Sequence, residues 1–288
     1  MTSDYTSQWA GSATIGHVFL STGGRLRYLK SGSGPPLLLM HTLRTQLDYF
    51  QRLIPLLTSR FTVYAVDLPG LGWSDIQPGA AYDEPAVRRD LIEFIQHLAL
   101  EDLTLAGDSM GATLALSIAA DLGAKIRRVV AVNPYDYPQG VERANMLASL
   151  LVKMMRVPGI GLVPAILENE LILGGILSGG FHDPRKLPKD LVKELIRSGR
   201  RAGYPRVETA YLRSLKSYMA ARRLYGRIRS PVTLVYGADD WSRPSEREAV
   251  GRLVAGSRML FLPDAGHFVS LEHPGEVAGI ILDTPPEP

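Results

Sequence analysis

The 288-residue sequence is 45% hydrophobic and 21% charged, an ordinary globular composition that excludes a disordered chain. It holds no cysteine, which removes disulfides, thiolate metal sites and a cysteine nucleophile, and its net charge of +3 is too small by itself to argue for a nucleic-acid partner. The N-terminus lacks a basic segment followed by an apolar run, and no apolar stretch reaches the roughly 18 residues of a membrane span, so a cytoplasmic location is expected.

In chain order, VFLST and LRYLK are two candidate strands around Gly23-Gly24, a hairpin signal. PPLLLMH (35–41), FTVYAVD (61–67), LTLAG (103–107) and VVAVN (129–133) are apolar, partly β-branched runs that end in polar or glycine residues. YFQRLIPLL, VRRDLIEFIQHLAL and the segment after Ser109 lie between them and carry helical periodicity. Strands alternating with helices predict an α/β fold: right-handed crossovers and a mostly parallel sheet with helices on both faces. PVTLVYG and RMLFLPDAG resume the strand pattern from residue 231, and a helix is expected from about Pro274. Residues 138–228 hold no buried-strand pattern, only helical periodicity broken by glycines and prolines. They read as a helical cap inserted between two strands, which leaves 1–137 and 229–288 as a core domain discontinuous in sequence.

Between LTLAG and the helix that follows lies Gly107-Asp108-Ser109-Met110-Gly111, a G-x-S-x-G elbow in the strand, turn and helix context it requires. Such a turn strains the serine backbone, and flanking glycines remove the Cβ atoms that would clash there. Met110 N–H, at the helix start, is the expected oxyanion donor. A serine hydroxyl needs a histidine base, and the base needs a carboxylate to orient it. Of the six histidines, His267 follows RMLFLP in a loop at a strand's carboxyl end. His17, His97 and His182 have no strand end beneath them, and His273 precedes Pro274 at a helix start. The acid is expected at Asp240, in Gly237-Ala238-Asp239-Asp240 after PVTLVYG, with Asp136 in NPYDY as the alternative.

On these residues the chain resembles the α/β-hydrolase family, in its serine-nucleophile, cap-bearing members, with Ser109, Asp240 and His267 in the family order. The segment from Asp67 to Asp75, DLPGLGWSD, is similar to the D-x-P-G-x-G-x-S-D loop of the cap-bearing members, and His41 after LLLM corresponds to the histidine of their oxyanion loop. The resemblance covers residues 15–135 and 229–285 and implies an α/β-hydrolase fold with a helical lid. It also implies a second oxyanion donor at the Leu43 backbone. The glycine usual after that histidine is Thr42 here, in His41-Thr42-Leu43-Arg44, and the Thr42 hydroxyl is an alternative donor; a further glycine common after the elbow is Ala112. His41, Thr42, Arg44, Tyr135 and Trp241 complete the candidate pocket.

Residues 145–180 carry only Lys153, Arg156, Glu168 and Glu170 as charged side chains, which predicts an apolar pocket for an acyl or alcohol portion. Residues 185–229 instead hold 14 Arg or Lys against Asp190, Glu194 and Glu208. That excess reads as a solvated helical face, or as one that attracts an anionic substrate, an acidic carrier protein or an anionic membrane surface. The expected reaction is hydrolysis of an ester, thioester or lactone of a hydrophobic small molecule through an acyl-enzyme, with no metal, cofactor or nucleic acid. Two alternatives stay open: hydrolysis of a carbon–carbon bond in a vinylogous diketone, which family members with similar lids perform, and a lyase-like or binding role. An aspartate nucleophile, as in the family's epoxide hydrolases and dehalogenases, is disfavoured because Ser109 occupies the elbow.

Overall fold

The apolar runs extend into eight strands of one sheet in the computed structural model, which describes residues 4–283. β1 (Thr14–Phe19) and β2 (Arg25–Gly32) form an antiparallel hairpin that turns at Gly23, whose φ of +97° suits glycine; β1 starts before the expected VFLST and ends at Phe19, so that Ser21 and Thr22 belong to the turn. β3 (Pro36–Met40), β4 (Thr62–Val66), β5 (Leu103–Asp108), β6 (Ile126–Val132), β7 (Val232–Gly237) and β8 (Arg258–Leu262) run parallel, in the sheet order β1-β2-β4-β3-β5-β6-β7-β8. The carboxyl ends of these six strands therefore share one edge of the sheet.

The helices are α1 (Asp4–Trp9), α2 (Ile54–Leu57), α3 (Glu84–His97) and α4 (Met110–Leu122) before β6. Between β6 and β7 come α5 (Met146–Met155), α6 (Leu162–Ile166), α7 (Glu170–Ser178), α8 (Lys189–Gly199) and α9 (Tyr204–Ala220). α10 (Pro244–Leu253), α11 (Val269–Glu272) and α12 (Pro274–Leu282) follow β7 and β8. Side chains alternate across the strands and build one core on each face. Leu38, Met40, Tyr64 and Val66 pack with α3, α4 and α10; Leu37, Leu39, Val63 and Ala65 pack with α2 and α12. The helix expected over YFQRLIPLL is instead a 3-10 turn at Leu47–Phe50 followed by the single turn of α2. Pro55, which has no N–H to donate, sits in that first turn and starts it afresh.

The segment between β6 and β7 is not a detached cover. α9 sends Tyr204, Val207, Tyr211 and Tyr218 into the same core as α3 and α4, and the Tyr211 hydroxyl donates to Pro69 O at 2.8 Å.

The DLPGLGWSD loop closes on a buried charge network that joins four segments. Arg27 Nη1 donates to Asp67 Oδ2 at 2.9 Å, and Arg27 Nη2 donates to Thr6 Oγ1 at 2.6 Å. Asp67 also accepts from Leu47 N at 2.7 Å and Trp73 N at 2.8 Å, while Asp48 accepts from Thr6 Oγ1 and Trp9 Nε1. Gly72, at φ +53°, is needed because a Cβ there would lie 2.4 Å from the Asp67 carboxyl carbon. Asp67→Ala leaves Arg27 buried with Asp48 3.9 Å away as its remaining counter-charge. Removing one partner of a buried pair costs about 3–5 kcal/mol, so urea unfolding of this variant is expected to show a loss of that size.

Candidate active site

β5 ends by delivering Ser109 at φ +58°, ψ −114°, a conformation that costs a non-glycine residue free energy. A Cβ on Gly107 would lie 2.5 Å from the Gly111 carbonyl carbon, and one on Gly111 would lie 2.0 Å from Met40 O. No side chain fits at either position. Ser109 N donates to Val132 O at 2.8 Å, and Ser109 O accepts from Tyr135 N and Thr113 N at 3.1 Å, which holds the bend in place. Asp108, one residue earlier, turns the other way: its carboxylate accepts from the hydroxyls of Tyr49 at 2.8 Å and Ser270 at 2.7 Å.

The loops after β5, β7 and β8 bring Ser109, Asp240 and His267 into one hydrogen-bonded chain at the carboxyl edge of the sheet. His267 Nε2 lies 2.8 Å from Ser109 Oγ, and His267 Nδ1 lies 2.5 Å from Asp240 Oδ1. With Nδ1 protonated and donating to Asp240, Nε2 is free to accept the Ser109 proton. The other Asp240 oxygen accepts from Ser242 N at 2.9 Å and from the Ser242 hydroxyl, which in turn accepts from Arg247 Nε at 2.8 Å. Burial alone raises the Asp240 pKa, but the charge and hydrogen bond of His267 and the Ser242 bonds outweigh it, and the net shift is downward.

Several supporting groups have no motif in the sequence. Trp241 stacks on the His267 ring, with centroids 3.8 Å apart and planes 13° from parallel. Asn133 Nδ2 donates at 3.0 Å to both Gly266 O and His267 O, and its Oδ1 accepts from Gly237 N at 3.0 Å. Gly180 O, on the segment between β6 and β7, accepts from His267 N at 2.6 Å. Glu272 accepts from Gly266 N at 2.8 Å and Asp183 N at 2.7 Å. The one sequence signal for Asn133 is its polar side chain closing the VVAVN run; the others depend on folding.

Two candidates from the sequence fall outside the site. Asp136, the alternative acid, pairs elsewhere: its Oδ1 accepts from Arg222 Nη2 at 3.0 Å, whereas the carboxylate bonded to His267 is Asp240. His41 does not line the cleft. It is fully buried, its Nδ1 lies 2.8 Å from Thr42 O, and its Nε2 accepts from Leu68 N at 2.9 Å. Burial lowers its pKa against the opposing pull of Asp67, which suits a neutral ring that ties two loops together. Asp239 is exposed and lies 2.6 Å from His182 Nδ1.

Ser109 opens into a cleft of about 670 Å³, counting its mouth. Thr42, Leu43, Arg44, Met110, Tyr135 and Trp241 line it near the serine, and Val152, Met155, Leu173 and Leu177 roof it. The left-handed residue of the His41 loop is Arg44, at φ +62°, and not Thr42, so no glycine is required at position 42. Met110 is the first residue of α4, and its N–H therefore stands outside the helical ladder.

Charged side chains also line the cleft. Arg44 Nε donates to Glu168 Oε2 at 2.8 Å and lies 3.4 Å from Glu208 Oε1, while Nη1 donates to Leu195 O at 3.1 Å. Burial, and then the nearby Glu168 charge, raise the Glu208 pKa to about 8 against the lowering effect of Arg44. A carboxyl raised on folding binds a proton that the unfolded chain releases above its ordinary value of 4.5. Its contribution to stability is present below that pH and is lost as pH rises toward about 8. Glu208→Gln is expected to flatten this part of the profile, so that its stability relative to the parent chain rises across that window in denaturant titrations at several pH values.

Comparison with known proteins agrees with this architecture. A model described as "Alpha/beta hydrolase family" matches residues 33–280. Haloalkane dehalogenase 2 of Mycobacterium tuberculosis is 27% identical over 279 residues, covering 92% of this chain and 93% of its own. Among solved structures, Cfl2 from Burkholderia cenocepacia superposes with a TM-score of 0.82 at 21% identity, covering 93% of this chain and 94% of that one. The epoxide hydrolase CorEH superposes with a TM-score of 0.80 at 22% identity, covering 94% and 98%. With its parallel sheet, its glycine-flanked elbow and a family match across most of its length, the chain belongs to the alpha/beta hydrolase family.

Proposed function

We propose that this hydrolase cleaves an ester, thioester or lactone of a hydrophobic small molecule through a serine acyl-enzyme. The observation that carries the reading is the hydrogen-bonded chain from Ser109 through His267 to Asp240, set under an apolar cleft, while Asp108 faces away. Ser109 Oγ attacks the substrate carbonyl as its proton passes to His267 Nε2, and Asp240 stabilises the imidazolium. The backbone N–H groups of Met110 and Leu43 receive the oxyanion. Collapse of the tetrahedral intermediate returns the proton to the departing alcohol or thiol and leaves Ser109 acylated. Water, deprotonated by the same imidazole, then releases the acid.

The reaction named for the dehalogenase relative does not fit this nucleophile. A carboxylate that displaces halide forms an ester, which water opens at the carbonyl. A serine oxygen would form an alkyl ether, which has no carbonyl for water to attack. Haloalkanes are therefore expected to release no more than one halide per protein molecule, as read by ion chromatography.

Ser109→Ala is expected to abolish both labelling by a fluorophosphonate probe and turnover of p-nitrophenyl acyl esters. Asp240→Asn, which favours the wrong imidazole tautomer, is expected to lower kcat by about 10⁴ with little change in KM. Unchanged ester turnover in Ser109→Ala overturns the proposal, and labelling of Ser109 without turnover of any acyl chain length favours a binding or lyase-like role.

A further inference from the structure

Apart from Ser149 and Lys153, α5 is apolar on both its inner and outer faces, as a helix enclosed on most sides would be. Its inner face is enclosed: Val152 and Met155 roof the cleft with Leu173 and Leu177 of α7. Its outer face is not. Met146 is 91% exposed and Leu150 59%, and the surface continues through Ile166 at 65%, Leu167 at 64% and Leu171 at 87%. Of the large apolar side chains exposed among the described residues, ten lie between 146 and 171 and four lie elsewhere. α5 packs against both α6 and α7, so the helices that carry these exposed residues are neighbours. Monomeric proteins rarely leave an apolar patch beyond a few hundred Å² in water.

The border of this face is cationic. Lys153 projects from α5 itself, Arg213 donates to Val157 O at 3.1 Å, and Arg200 lines a groove with Ile166 and Leu167. None of these three cations has a carboxylate partner among the described residues. Glu168 and Glu142 are held by Arg44 and Arg156, which leaves Glu170 as the exposed acid on α7.

We propose that the outer face of α5, α6 and α7 docks on an anionic lipid surface. The apolar side chains enter the boundary between headgroups and acyl chains, and Lys153, Arg200 and Arg213 meet the lipid phosphates. A second copy of the chain fits less well, because a two-fold interface would press each copy's cationic border toward its own equivalent. Docking sets the roof of the cleft at the lipid boundary, where apolar substrates concentrate. It does not depend on the chemistry at Ser109.

The test is co-sedimentation of the full chain with vesicles of phosphatidylcholine and with equimolar phosphatidylcholine and phosphatidylglycerol. Retention is expected on the anionic vesicles, with Lys153→Glu and Arg213→Glu each weakening it about fivefold or more. Leu150→Glu combined with Ile166→Glu is expected to abolish it while circular dichroism and turnover of a water-soluble ester stay as in the parent chain. Ser109→Ala is expected to bind as the parent does, so vesicle binding without ester turnover would sink the proposed reaction and leave the docking intact. No retention on anionic vesicles, or retention that the glutamate substitutions leave unchanged, overturns the docking. So does a concentration-dependent dimer in light scattering that those substitutions dissolve, which assigns the face to a second copy.

Discussion

The site depends on one close approach of backbones. Where α4 begins, its first turn lies against the end of β3 so tightly that a methyl group at Gly111 would meet Met40 O at 2.0 Å. That contact fixes the start of α4 against the loop that follows β3, which is why Leu43 and Met110 line the same cleft as Ser109. The bend at Ser109 is costly on its own. Its three backbone hydrogen bonds to Val132, Tyr135 and Thr113 hold it there, so that the surrounding sheet compensates the strain.

Two buried aspartates near the elbow show how partners decide charge. Asp108 and Asp240 are both almost wholly removed from water, and burial raises both pKa values. Around Asp108 the hydroxyls of Ser270 and Tyr49 only partly offset this, and its carboxyl stays raised, to about 6. Around Asp240 the imidazole and the Ser242 bonds reverse the direction. Trp241 stacks on the imidazole, both side chains of the His267–Asp240 pair are buried from water, and in such a medium the interaction between carboxylate and ring is stronger than it would be in solvent.

The segment between β6 and β7 takes part in the site as well as covering it. Gly180 O holds the backbone of His267, and Glu168 and Glu208 hold the side chain of Arg44, next to Leu43. Arg143 adds a bidentate pair to Glu246 at the start of α10, at 2.7 and 2.9 Å. Movement of α5 to α7 would therefore pull on both the histidine loop and the loop after β3. The same helices are apolar on both sides, which puts the cleft and the outer face under one set of side chains.

The strands, the hairpin at Gly23 and the elbow at Ser109 were legible in the sequence because each is written in neighbouring residues: apolar runs of strand length, or glycines two positions either side of a serine. Helix breaks were less legible, as the proline that splits YFQRLIPLL shows. The choice of Asp240 over Asp136 was open at that level, since both follow a strand, and the ion pair between Asp136 and Arg222 joins residues 86 positions apart. His41 looked like a pocket residue and is a buried tie between loops. The Arg44 cluster, the Trp241 stack and the outward turn of α5 could be decided only by tertiary structure. Ser109 and His267 are 158 positions apart, and Arg44 and Glu168 are 124 apart. Local pattern determines which backbone a segment can adopt, whereas the partner a side chain meets depends on how strands register and helices pack across the whole sheet.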